Sequence, residues 1–305
     1  MRLFLKTLVI ISLTLLLLFV GSFSFLEWNA SKNKFYVIPS DKTSIILGHS
    51  HAACAFDDKI IKGFYNLSQN MEGYPYSYFK IKKILENNTH IKNVFIEYTN
   101  NQITPWAIDR ISGRYMKFNM ERTLPILSKR FAVKTLFHSL SLSDAIGSLL
   151  ASYKKNIDFI INDNNSYIEY AWHINTTSDH VFKGDTSQQK HDFKDADAFQ
   201  NIYQVQQENL NYLFKLKRLC KLNKVRLVLV RSPAPSYSSS ANEFILHHIK
   251  DTFFSEIPFL DFSKFSLRLN QFADEQHINT SGRNTFSQYF NDSILAKGFT
   301  ENLIH

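Results

Sequence analysis

The stretch "IILGHSHAAC", residues 45–54, places His49, Ser50 and His51 directly after an apolar run and a glycine. A serine just past a buried strand can act as a nucleophile if a base takes its proton, a third group orients that base, and N–H donors receive the oxyanion. Base and orienting group are offered near the far end of the chain by "DEQH", where Asp274 and His277 lie three apart. Within one turn or tight loop, that spacing lets a carboxylate hold the same imidazole. Ser50 alone would more often be a turn serine bonded to its own backbone; the distant Asp-x-x-His is what turns the reading toward catalysis. The same residues permit a second chemistry, because His49 and His51, alternating at a strand end, can point at one metal ion. Such a site needs further ligands from other strand ends. The later strands end in "EYTNN", "VRSPA" and "DFSKF", which offer little beyond Glu97 and Asp261. The metal reading is therefore the weaker one, and no cofactor is expected.

Positioning such a site requires a sheet. "TSIILG" (43–48) reads as a first strand, "GFYNLS" (63–68) as a second and "IKNVFIEYT" (91–99) as a third, with helical spacing in 75–88 between the last two. A strand follows at 224–233, a helix at 241–254, a last strand at 257–263, and a closing amphipathic helix with its cap at Thr280 or Ser281. A long helix at about 199–222 leads into the fourth strand. Strands alternating with helices predict a doubly wound α/β fold, mainly parallel, with helices on both faces. In such sheets ligands sit beyond the carboxyl ends of the strands. The strand ending at Gly48 is accordingly expected at the centre, with Ser50 at its carboxyl end. Between about 100 and 198 the alternation breaks into helical stretches and then the polar run "NTTSDHVFKGDTSQQKHDFKDAD", an insertion expected to form a cap or rim.

The N-terminus is different in kind. Residues 7–26, "TLVIISLTLLLLFVGSFSFL", carry no charge, and at about 1.5 Å per residue they reach roughly the 30 Å of a bilayer core. A cleavable signal would have a shorter apolar region and a small-x-small site, so an uncleaved anchor (1–28) is favoured over a signal sequence. A polar linker (29–42) and one α/β domain (43–305) follow. Arg2 and Lys6 precede the span, which places the short N-terminus in the cytoplasm and the rest outside. The chain has 35 basic and 27 acidic side chains; all the acidic ones follow the span, and the outer part remains net basic. That balance suits a solvated surface near an anionic envelope. No basic stripe with interleaved aromatics speaks for nucleic acid. Cys54 and Cys220 sit in apolar surroundings and read as small buried hydrophobes, not as a disulfide framework or a zinc pair.

A serine directly after strand one, Asp-x-x-His before the last helix, and "HINTSGRNTFSQYF" together resemble the SGNH (GDSL-like) hydrolase superfamily. The resemblance covers about 43–99 and 199–297. It is closest in flavour to the membrane-anchored envelope branch, similar to the teichoic-acid D-alanine transfer and alginate O-acetylation proteins. It implies an SGNH/flavodoxin-like sheet, acylation of Ser50, His277 as general base and Asp274 as its orienting partner. The family's usual Gly-Asp-Ser is Gly-His-Ser here. Its second block, which supplies an oxyanion donor, falls in "NLSQNMEGY" on Asn70 or Gly73, and its third falls in "YTNNQ" on Asn100 or Asn101. His51 reads as a strand-end residue near the site, and Arg231 as either a contact for an anionic substrate or a surface ion pair.

The expectation is a cell-envelope serine esterase or acyltransferase acting on O-acyl groups of surface glycans, working alone or in an envelope acylation complex. The alternatives are a catalytically silent glycan-binding or assembly protein of the same fold and, third, a metal-dependent hydrolase built on His49 and His51.

Overall fold

The computed structural model describes residues 1–105, 107–139, 141–173, 178–182, 206–234 and 243–295. Helix α1 (Arg2–Ala30) is unbroken over 29 residues and is long and apolar enough to cross a membrane. Its apolar side chains from Leu3 to Val20 are exposed, as a lipid-facing surface would be.

Five strands follow: β1 (Ser44–Leu47), β2 (Phe64–Asn66), β3 (Asn93–Glu97), β4 (Arg226–Arg231) and β5 (Phe259–Asp261). They form one parallel sheet in the order β2-β1-β3-β4-β5. β1 is interior, paired on both sides, but one place from the edge; β3 takes the middle position expected for it. The chain reverses its winding direction between β1 and β3, so the carboxyl end of β1 opens at the topological switch point where such sheets bind ligands.

Helices cover both faces. α2 (Ser50–Ala55) follows β1, α3 (Tyr74–Leu85) follows β2, and α4 (Asn100–Ile103), α5 (Ala107–Ile111), α6 (Met116–Thr123), α7 (Lys129–Phe137) and α8 (Leu142–Ile161) follow β3. α9 (Gln207–Leu222), α10 (Glu243–Phe253) and α11 (Thr280–Tyr289) follow among the described residues. The period-two alternation of each strand decides which core a side chain joins. Ile45, Leu47, Val94, Ile96, Leu227 and Leu229 pack with α3, α9 and α10, whereas Ile46, Phe95, Val228 and Val230 pack with α2 and α11. The second core is largely aromatic, with Phe56 set edge-on to Phe286 at 5.2 Å and to Phe290 at 5.1 Å.

The helices of the insertion join the first core through Ile103, Ile111, Met120, Phe131, Phe159 and Trp172. Most of the polar run expected after them, and the first residues of the helix expected from 199, lie outside the described residues. The described piece Ser178–Phe182 runs against the segment that carries His277: Thr280 N–H donates to Ser178 O (3.0 Å), and Phe182 N–H to Phe272 O (2.9 Å).

The polar linker expected over 29–42 is in fact packed. Phe35, Tyr36 and Ile38 are buried in the first core, Tyr36 Oη–H donates to Ala30 O (2.6 Å), and Asn88 bridges Ile38 N and Tyr36 O. Four apolar or aromatic residues in succession, "FYVI", outweigh the flanking lysines and asparagines once there is a core to receive them. The anchor and the domain are joined by a short braced segment.

Candidate active site

Gly48 and Glu97 explain the shape of the turn after β1. A Cβ on Gly48 would fall on the Cβ of Glu97 and lie 2.6 Å from its Oε2. Only the absence of that carbon lets the Glu97 carboxyl, at the end of the neighbouring β3, slide beneath the turn. There it accepts the His49 N–H (2.8 Å) and the Ala52 N–H, taking donors that the start of α2 cannot satisfy within the helix. Ser50 is thereby fixed as the first residue of α2, with His49 as its N-cap.

The other half of the site comes from the chain preceding α11. Asp274 accepts the N–H of Gln276 (2.7 Å) and of His277 (2.8 Å), a tight loop that presents the imidazole. Asn279, not Thr280 or Ser281, is the N-cap of α11: its Oδ1 accepts Gly282 N–H (3.1 Å), and its Nδ2 donates to Asn270 O (2.9 Å). An asparagine does this well because one amide supplies the helix cap and ties back the preceding loop.

α2 and α11 are then clamped together. Ser287 Oγ accepts from Asp57 N–H (2.9 Å) and donates to Ala55 O (3.1 Å), and Arg283 lies 3.4 Å from the Asp57 carboxylate. On the other side, Asn66 of β2 donates to Ala52 O (3.1 Å) and Phe56 O (2.7 Å). These bonds bring residues far apart in the sequence into register.

The result is a continuous relay. His277 Nε2 lies 2.7 Å from Ser50 Oγ, and its Nδ1 lies 2.9 Å from Asp274 Oδ2. With Nδ1 protonated toward the carboxylate, Nε2 is free to accept the serine proton; this is the arrangement a nucleophile, base and orienting group require. Burial would raise the Asp274 pKa, but the donors from Gln276 and His277 outweigh it and hold the carboxyl below its ordinary range. It is therefore an anion at neutral pH.

His51 is part of the surroundings. Its ring centroid is 5.2 Å from that of His277, and its Nδ1 is 3.9 Å from Glu97 Oε1. Burial, followed by the neighbouring His277 and Arg110, lowers its pKa to about 3. His49, deeper still and 3.0 Å from Thr99 Oγ1, is also held well below the ordinary histidine value by burial first. Both rings are neutral at pH 7. Glu97 is pushed up to about 8, again by burial, against the lowering effect of the His49 N–H, Arg110 and the Ala52 N–H. His49, His51 and Glu97 are thus neutral at pH 7, and the charge next to the base is the Asp274 carboxylate.

His49, His51 and Glu97 have ligand atoms within 4.8 Å of one another, enough donors for one ion. The chemistry of the set fits poorly. Arg110, buried in α5, already acts on all three as a positive neighbour, and His49 Nδ1 and Glu97 Oε2 are taken by backbone N–H groups of the turn, the former at a long 3.4 Å. A dication would have to displace those bonds beside a guanidinium.

The residues expected to serve the oxyanion are placed differently from one another. Asn70 is exposed beyond β2, and Gly73 is the N-cap of α3, facing Asn209 and Ile111. Among the described residues no hydrogen bond joins either to Ser50 or His277. Asn100 donates to Glu243 (3.0 Å), and the same carboxylate takes both terminal nitrogens of Arg231 at 2.8 and 2.7 Å. Of the two readings of Arg231, the ion pair is the one formed. The roles of Glu97 under the turn, Arg110 beside it and Asn279 behind the loop were not read from the sequence. The signal for Glu97 was an acid ending the otherwise apolar "VFIE".

The ionisation of Glu97 has a measurable consequence. Its raised pKa makes a stabilising contribution that is full below its ordinary 4.5 and is lost as pH rises to about 8. The lowered histidine values act in the other direction, with stability present above 6.5 and lost as pH falls. Gln at 97 keeps the acceptor and cannot ionise. In detergent micelles, raising the pH from 5 to 8 should shift the urea midpoint less favourably for the wild type than for Glu97→Gln, in which only the histidine gain remains; an identical shift in both would mean that Glu97 is already an anion at pH 5.

Compared with known proteins, the chain matches no protein-family model and no curated sequence.

Proposed function

We propose that this protein is a membrane-anchored serine esterase or acyltransferase of the SGNH-like type, acting outside the cytoplasm on O-acyl groups of envelope glycans. The observation that carries the reading is the unbroken hydrogen-bonded line from Ser50 through His277 to Asp274 at the sheet's switch point. Arg2 and Lys6 before the apolar span support the orientation, and the resemblance of the motifs supports the substrate class.

In the reaction, Ser50 Oγ forms a bond to the ester carbonyl carbon as its proton passes to His277 Nε2. The tetrahedral intermediate collapses when the C–O bond to the alcohol breaks and Nε2 returns the proton to the departing oxygen. Water or a sugar hydroxyl then attacks the acyl carbon, losing its proton to the same nitrogen; the bond from that carbon to Oγ breaks, and Nε2 returns the proton to Ser50 Oγ. Asp274 stays an anion throughout and stabilises the imidazolium.

A second reading, a glycan-binding protein that keeps the fold without turnover, rests on the lack of an oxyanion donor identified by contact: among the described residues neither Asn70 nor Gly73 is hydrogen-bonded to Ser50 or His277. The two are separated by hydrolysis of a small acetyl ester by the full chain in detergent micelles. An enzyme gives a rate that Ser50→Ala removes; a binding protein gives the same background with either chain.

A further inference from the structure

The outer end of the anchor is a docking surface for the insertion. Glu27 accepts hydrogen bonds from Ser152 (3.1 Å) and Asn156 (2.9 Å) of α8. Tyr153 then lies 5.5 Å from the Phe19 ring and 6.2 Å from the Phe23 ring, and its hydroxyl is 3.3 Å from Ser22 Oγ. Trp28, exposed and with Lys32 4.2 Å from its ring centroid, has the character of an interfacial residue. Phe19 is nine residues earlier on the same helix, about 13 Å nearer the bilayer centre at ~1.5 Å per residue. The Tyr153 ring therefore already sits below the interface.

The face of α8 that carries Tyr153 continues toward the helix start as Leu142, Ile146 and Leu150, at spacings of four, four and three residues, which keep them on one side. These three are 76%, 48% and 51% exposed, and Phe137 at the end of the preceding α7 is 84% exposed. Ser152 and Asn156 meet Glu27, while Tyr153, on the adjacent face of α8, reaches past it to Phe23 and Phe19, toward the membrane. The charged residues of α8, Asp144, Lys154, Lys155 and Asp158, fall off this stripe.

We propose that the start of α8 and the end of α7 are embedded in the bilayer leaflet next to the domain, with Phe137, Leu142, Ile146 and Leu150 in contact with lipid. The occupant of this apolar stripe is lipid because the stripe is continuous with a contact made below the anchor's interfacial tryptophan. The protein is then held by a helix that crosses and a second element that dips, which fixes the orientation of the sheet above the membrane. This holds whatever chemistry Ser50 performs.

The test uses the full chain in phosphatidylcholine–phosphatidylglycerol vesicles, carrying a single nitroxide on Ile146→Cys or, separately, Leu150→Cys. Cys54 and Cys220 are buried and should resist labelling in the folded protein. Collisions with oxygen and with a water-soluble nickel chelate are read by electron paramagnetic resonance. Embedded labels should lose their chelate collisions to the level of a label on Leu16→Cys in the anchor while keeping oxygen collisions high. Chelate collisions equal to those of a label at the exposed Leu222→Cys would overturn the proposal, placing the stripe in water. Shielding from both reagents with spin–spin broadening would overturn it in favour of a second copy of the chain.

Discussion

Replacing His277 with Ala should lower the rate of Ser50 acylation by roughly 10⁴- to 10⁶-fold, the range expected when one member of a relay acting as a unit is removed. The base is 2.7 Å from Ser50 Oγ, and no other described side chain is hydrogen-bonded to that oxygen. His51 is nearby, yet its Nδ1 faces Glu97 and its pKa of about 3 makes it a weak acceptor. Asp274→Asn should cost about 10³- to 10⁴-fold, because an amide in place of the anion neither fixes the tautomer nor stabilises the imidazolium. Combining the two changes should cost no more than His277→Ala alone. Pre-steady-state release of p-nitrophenol from p-nitrophenyl acetate reads these rates. If the effects of the two substitutions multiplied, the residues would be acting separately and the relay would be absent.

Gly48→Ala should be the most damaging single-methyl change in the sheet. The added carbon would meet the Glu97 Cβ, and Ala52 Cβ at 3.2 Å, between two paired strands that cannot separate without breaking the β1–β3 ladder. Overpacking of this kind costs about 1 to 3 kcal/mol or somewhat more. A shift of the turn by about 1 Å would also cost on the order of 10²-fold in rate through lost alignment of Ser50. Both penalties have one cause, so both should shrink when Gly48→Ala is made in a Glu97→Gly background. Urea unfolding and ester hydrolysis on the four chains of this cycle check it. Equal penalties in the two backgrounds would place the clash elsewhere.

The contrast between these two sites shows what could be read from the sequence. Strands β1, β3 and β4 were legible because each is a short apolar run ended by a glycine or polar residue, and alternation with helices gave a parallel sheet. Ser50, Asp274 and His277 were legible as types and local spacings, the last two by their separation of three. The centre of the sheet was displaced by one strand, since strand order depends on the crossovers and not on any strand's composition. Glu97 under Gly48 was hidden because it is a contact between two strand ends, visible only when β1 and β3 are paired. Asn279 was missed since Asn, Thr and Ser all make good caps in succession, and only the tie to Asn270 and Phe272 selects the first. The packing of Phe35, Tyr36 and Ile38 was obscured by the surrounding polar residues, and the oxyanion donors by the looseness of the blocks that name them.

The proposed chemistry is tested most directly by reacting the full chain in detergent micelles with a fluorophosphonate and mapping the adduct by peptide mass spectrometry. The phosphorus–fluorine bond breaks as a serine oxygen attacks, so the reagent marks a hydroxyl whose proton has somewhere to go. One adduct on Ser50 is expected, absent from His277→Ala and unchanged by added chelator. An unmodified Ser50 in folded protein that also fails to hydrolyse a small acetyl ester would contradict the account.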